Sequence, residues 1–245
     1  MDNQPAYVLS RDMYSSIRLN LQHFLWKDGL GYLIHPSVPL TGTNCRIAGL
    51  GTGTGIWLLD LAKQLPDTTQ LHGFDVADSQ FPHAKYLPQN VTLHVLDCLN
   101  SEPPIELQET FDIVHLRLWL GVVPNGDPTA LLRHALKLLR PNGEQSPYVA
   151  KVLTLIQEIR DHSRWIERLP ELFKQFGLEN IENEFAFEQP WQSKIASDMS
   201  CAVAHEMENN GSPFLTKKIK TIGVSVPLAY SEVSKGARVV QPFRE

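Results

Sequence analysis

The sequence predicts an α/β fold: a mainly parallel sheet with helices on both faces and a ligand edge at the strand carboxyl ends. Three observations predict it. Short apolar segments alternate with helical ones from Cys45 to Arg140, a glycine-rich turn joins the first strand of that series to its first helix, and single aspartates end the next two strands. Such alternation implies parallel βαβ units buried on both faces. These units cross over right-handed, which lines the carboxyl ends along one edge where ligands of open sheets bind.

Before the series, Tyr14, Ile17, Leu21, Phe24, Leu25 and Leu30 recur at roughly helical spacing, and Pro36 and Pro39 break the pattern. Residues 1–42 are therefore expected to form an N-terminal helical arm that either lids a pocket or packs on the sheet, with 43–245 as the main domain. Cys45–Leu50 reads as the first strand and Ile56–Leu65 as the helix after the turn. Leu71–Phe74 is the second strand, ended by Asp75, and Val91–Leu96 the third, ended by Asp97. Phe111–Leu116 is the fourth, and Thr129–Leu139 a helix closed by Arg140-Pro141-Asn142-Gly143. Gln145-Ser146-Pro147 falls where a fifth strand belongs, and residues 148–176 read as helical, so that strand is expected to be shortened or missing. Ile181–Phe187 reads as a strand, Ser193–Asn210 as a helix and Ala237–Val240 as a last short strand.

Composition narrows the classes. With 42% hydrophobic and 20% charged residues, the 245-residue chain has material for a real core. A net charge of −5 and one short basic spot, Lys217, Lys218 and Lys220, disfavour a nucleic-acid partner. Three scattered cysteines, Cys45, Cys98 and Cys201, make neither a disulfide framework nor a zinc spacing, which fits a reducing compartment. Met1–Pro5 carries no signal-peptide pattern, and no apolar run reaches the roughly 18 residues a bilayer span needs. The expected location is cytoplasmic, or nuclear for a regulator, with no membrane partner.

Gly51-Thr52-Gly53-Thr54-Gly55 follows a strand and opens a helix. Glycine there lets the backbone turn tightly and approach a ligand closely. A dinucleotide fingerprint needs G-x-G-x-x-G, but Ile56 stands where its third glycine belongs. No Gly-Lys-Ser/Thr follows, which excludes a phosphate-binding P-loop. Asp75, about 20 residues past the glycines, is placed to accept hydrogen bonds from ribose hydroxyls. Either aspartate taken singly also suits a loop or a cap.

Several runs together carry a resemblance. Arg46–Leu61 (RIAGLGTGTGIWLLDL), Asp75–Pro82, Pro88-Gln89-Asn90-Val91, Phe111–Arg117 (FDIVHLR) and Leu138–Gly143 (LLRPNG) resemble class I S-adenosylmethionine (SAM) methyltransferases. Within that class they are similar to fungal secondary-metabolite enzymes, including the group related to the regulator LaeA. The resemblance covers roughly residues 10–143. It implies a Rossmann-like fold with seven strands, SAM as cofactor, and methyl transfer to a small molecule, an aromatic or a polyketide- or peptide-derived natural product. It further implies that Gly51, Thr52, Gly53 and Gly55 hold the cofactor, that Asp97 meets the adenine amino group, and that Cys98 donates from its backbone. Two departures stand out: Gly49 replaces the acid that usually helps hold the methionine end, and the strand after Gly143 is interrupted. They support a second reading, a catalytically impaired methyltransferase-like accessory or regulatory protein with pathway protein partners.

Methyl transfer from SAM is a displacement at an activated carbon, so positioning and desolvation carry most of it. His115, just past the fourth strand, is the candidate general base, with a structural role as its rival. Arg117 either steers an acidic substrate or caps a helix. Trp26, Trp57, Trp119, Trp165 and Trp191 are candidates to line an aromatic pocket, Trp57 being better placed for the core. No metal spacing is present, and no Gly-x-Ser-x-Gly acyl-transfer signature. A NAD(P)-dependent oxidoreductase is disfavoured by the glycine spacing and by the lack of a Tyr-x-x-x-Lys pair.

Overall fold

A computed structural model describes residues 9–40, 44–119, 122–141, 149–155, 165–186 and 190–210, together with Ser231. The elements run α1 (Met13–Leu30), β1 (Arg46–Leu50), α2 (Ile56–Leu61), β2 (Gln70–Asp75), β3 (Val91–Val95), β4 (Ile113–Leu116), α3 (Thr129–Leu138), β5 (Val149–Leu155), α4 (Leu169–Gln175), β6 (Glu179–Ala186) and α5 (Ser193–Asn209). They group into two compact units, one containing α1 and α5 and the other the four-stranded sheet.

In the sheet unit, β1 to β4 form one parallel sheet in the order β3-β2-β1-β4. The predicted class I architecture is therefore present, with β1 central. Successive side chains alternate between faces. Ile47 and Leu71 enter one core with Trp57, Leu58 and Leu61 of α2. Ala48, Leu50 and Phe74 enter the other with Leu131, Ala135 and Leu138 of α3. Both faces are thus covered, as parallel strands require.

The region after Gly143 differs from expectation. Residues 149–155 form β5, a strand and not a helix, and β5 pairs with β6 in a separate two-stranded sheet. Val149, Val152 and Leu153 fit helical spacing, which explains the misreading, but Val149, Val152 and Thr154 are β-branched and favour a strand. Helix α4 occupies only Leu169–Gln175 of the stretch read as helical. The turn around Gln145–Pro147 and the strand expected at Ala237–Val240 lie outside the described residues.

The other unit also holds a reversal. Helix α1 forms as the spacing predicts, capped by Asp12 accepting from the Ser15 amide at 2.9 Å and ended by left-handed Gly31. Its buried positions, however, are Ser15, Arg18, Gln22 and His23, while Tyr14 and Ile17 are exposed. The polar face packs on α5: Arg18 Nε donates to Glu206 Oε2 at 2.9 Å, and Ser15 Oγ donates to Glu206 Oε1 at 2.8 Å.

Candidate functional site

The parallel order brings the carboxyl ends of β3, β2, β1 and β4 to one edge, and the glycine turn leaves β1 there. Gly51, Gly53 and Gly55 all have left-handed backbones, with φ of 65°, 55° and 72°. The Thr52 amide donates to the Phe74 carbonyl at 3.0 Å, and the Gly55 amide to the Thr52 carbonyl at 2.9 Å. The Gly53 amide donates to Asp75 Oδ2 at 2.8 Å, which ties the end of β2 to the middle of the turn. Gly73 permits this closeness, since a Cβ there would lie 2.9 Å from Thr52 Oγ1 and nearer still to Leu93 and Leu58. A carboxylate has two oxygens with several lone pairs, so Asp75 can hold the turn and still accept from a ligand.

Asp97 is built differently. Its Oδ1 accepts from the Leu99 and Asn100 amides at 3.0 and 3.1 Å, and its Oδ2 from Asn100 Nδ2 at 2.9 Å. Burial pushes its carboxyl up, but the hydrogen bonds from Asn100 and Leu99 outweigh this and hold it below its ordinary value. Asp97 thus organises the turn that carries Cys98. The Cys98 thiol is buried in the core, and burial, then the charges of Asp75 and Asp97, push it up to about 12. It is no nucleophile at neutral pH; only its backbone is suited to a ligand.

His115 lies within β4 and not past its end, beside Gly49 in the parallel register. Its imidazole stacks on the Trp57 indole with ring centroids 3.8 Å apart and planes 6° from parallel. Trp57 is itself fixed by its Nε1 donating to the Leu33 carbonyl at 3.2 Å. His115 Nε2 is buried. A Cβ on Gly49 would sit 3.7 Å from both Leu58 and Trp57, in ordinary contact. Burial draws the Arg117 guanidinium down to about 10.

One contributor went unranked among the five tryptophans. Leu118 adopts φ 65°, a left-handed conformation that costs a branched side chain about 1–2 kcal/mol. Trp119 follows it and lies on the glycine turn, its Nε1 donating to the Leu50 carbonyl at 3.2 Å. A Cβ on Gly51 would be 2.9 Å from Trp119 Cζ2. Gly51 therefore lacks a side chain for two reasons, its φ and this ring. No glycine or asparagine marks Leu118 as left-handed, so pattern reading passes over it.

Residues 47–143 match the protein family described as "Methyltransferase domain". The match covers about two fifths of the chain, and SAM is the cofactor that the sequence resemblance implies. The chain is 29% identical over 206 residues to the N-methyltransferase gliN of Aspergillus fumigatus, covering 75% of this chain and 71% of that protein. It is 36% identical over 155 residues to the N-methyltransferase sirN of Leptosphaeria maculans, covering 63% of this chain and 53% of the relative. With the secondary metabolism regulator laeA of Aspergillus flavus it shares 33% over 147 residues, 56% of this chain and 35% of the other. The chain thus spans most of the first relative and about half or less of the other two. Among the described residues, no helix is long and apolar enough to cross a membrane, and no group of three or more His, Cys, Asp or Glu residues could hold a metal ion.

Proposed function

We propose that this protein methylates a nitrogen of a small molecule made in fungal secondary metabolism. The observation that carries the proposal is the bond from the Gly53 amide to Asp75, which joins a left-handed glycine turn to an acid at the end of β2. That arrangement fits a nucleoside: close backbone approach on one side, hydroxyl acceptors on the other. Two N-methyltransferases among the relatives support nitrogen as the acceptor atom.

In this reading Gly51, Thr52, Gly53 and Gly55 hold the cofactor through backbone, and Asp75 accepts from the ribose hydroxyls. Asp97 shapes the adenine end, where Cys98 donates from its backbone. SAM supplies a methyl group already activated by positive sulfur. The chain's own residues then have to bind, orient and exclude water. A nitrogen acceptor brings its own lone pair, and His115, its plane set by Trp57, takes the released proton.

Calorimetry with SAM and S-adenosylhomocysteine, followed by transfer of labelled methyl into pathway extracts, tests the proposal. Micromolar binding with label recovered in a small molecule is the expected result. Binding without transfer to any small molecule favours the second reading, an accessory or regulatory protein, for which Gly49 is the specific support. Absence of binding overturns both the site and the function.

A further inference from the structure

We infer that Trp119 reads the positive charge of the cofactor's sulfonium and so distinguishes SAM from its neutral product. The inference rests on the cofactor reading above. It starts from the strand order, β3-β2-β1-β4. If Asp97 at the end of β3 marks the adenine and Asp75 at the end of β2 the ribose, the remaining part of the cofactor comes to the end of β1. That part carries the sulfonium. Gly51 lies there, and the ring against Gly51 on the β4 side is Trp119.

The ring is held for this position. Left-handed Leu118 turns the chain back toward the glycine turn. Trp119 Nε1 is anchored on the Leu50 carbonyl, and the Trp119 carbonyl accepts from the Val122 and Val123 amides at 3.0 and 3.1 Å. The indole also packs on the core formed by Ala48, Leu50 and Phe74. A ring fixed on both sides has little freedom left to lose when a ligand binds beside it.

The electrostatics of the edge make such a ring useful. Gly49 supplies no carboxylate at the end of β1, and the acid on the glycine turn, Asp75, already accepts from the Gly53 amide. An indole face attracts a cation through its quadrupole, more strongly than a phenyl ring does. S-adenosylhomocysteine has the same adenosine and amino acid but a neutral thioether. Trp119 therefore favours substrate cofactor over product, which lets SAM compete better with S-adenosylhomocysteine for the site.

The test compares affinities of the full chain for SAM and S-adenosylhomocysteine by calorimetry. Trp119→Leu is expected to weaken SAM about three- to thirtyfold while changing S-adenosylhomocysteine little, with Trp119→Phe in between. A second measurement does not depend on the variant folding. Fluorotryptophan incorporated throughout the wild-type chain drains the ring's negative face and should weaken SAM selectively. The fluorine effect should vanish in the Trp119→Phe chain. Equal weakening of both ligands would make Trp119 a prop for the glycine turn and overturn the inference, as would no change in either. A wild-type chain that binds neither ligand would instead overturn the cofactor reading itself.

Discussion

Replacing Asp75 separates two jobs that one carboxylate performs. Its Oδ2 accepts from the Gly53 amide at 2.8 Å, within the range of charge-assisted bonds. Asp75→Ala removes that acceptor, and a hydrogen bond to a charged group contributes about 1.5–3 kcal/mol. The ligand-free protein should therefore lose stability of that order in urea unfolding. If the carboxylate also takes the ribose hydroxyls, SAM and S-adenosylhomocysteine should weaken together, since both carry the ribose, by about ten- to a hundredfold. Asp75→Asn keeps an oxygen for the Gly53 amide but loses the charge and exchanges the second oxygen for an amide NH2. Because neutral bonds are roughly half as strong, its losses on both axes should be about half as large. Calorimetry and urea titration on the same three proteins give both axes. Reduced stability with unchanged affinity for both ligands would leave Asp75 as a brace for the turn and remove it from the ligand site. Unchanged stability would refute the brace.

Three further outcomes follow from other parts of the chain. Gly49→Asp should tighten SAM, more at low salt and more than for an analogue without the amino group, because a Cβ fits there beside Leu58 and Trp57; no gain would mean that the ammonium already has another partner. His72 Nδ1 lies 3.1 Å from His94 Nε2, and burial, then the Arg46 and His94 charges, draws His72 down to about 4 from 6.5. The fold holds it neutral while the unfolded chain takes the proton first, so stability is complete above about pH 6.5 and falls by about 3 kcal/mol toward pH 4. His72→Phe should flatten that slope in urea midpoints, and identical slopes would refute the assignment. In the other unit, Glu206→Ala strands the buried Arg18 guanidinium and should cost about 3–5 kcal/mol, seen as lost hydrogen-exchange protection along α1, whereas Glu206→Gln retains one acceptor oxygen, enough for Arg18 or Ser15, and should do less harm. Full protection of α1 in Glu206→Ala would show that the pair does not hold the helix.

What the sequence revealed, and what it hid, follows from the range of the forces involved. The strand–turn–helix around Gly51–Gly55 and the acids at Asp75 and Asp97 are local signals, and period and position sufficed to find them. Helix α2 stops at Leu61, four residues short of the apolar pattern, because the pattern records which residues prefer burial and not where backbone bonding ends. The inverted faces of α1 depend on α5, nearly 200 residues away, and no reading of one helix can supply a partner for Arg18. Strand β5 was hidden because Val149, Val152 and Leu153 fall at helical spacing. Trp119 was named only as one of five tryptophans, because a single dihedral at Leu118, not a residue type, aims it.

The departure at Gly49 gains meaning only from the register. In sequence, Gly49 and His115 are separate notes, an acid lost and a base proposed. In the sheet they are cross-strand neighbours, and both lie against Trp57. An acid introduced at 49 would therefore enter beside the stacked imidazole as well as at the cofactor edge. Gly49→Asp consequently tests two groups at once. If the new carboxylate pairs with His115, proton transfer there suffers while affinity hardly changes. If it reaches the ammonium, affinity rises and the pH dependence of transfer stays where it was. The pH profile of Gly49→Asp, measured beside its SAM affinity, decides whether the loss of the acid left the methionine end weak or kept a carboxylate away from the histidine.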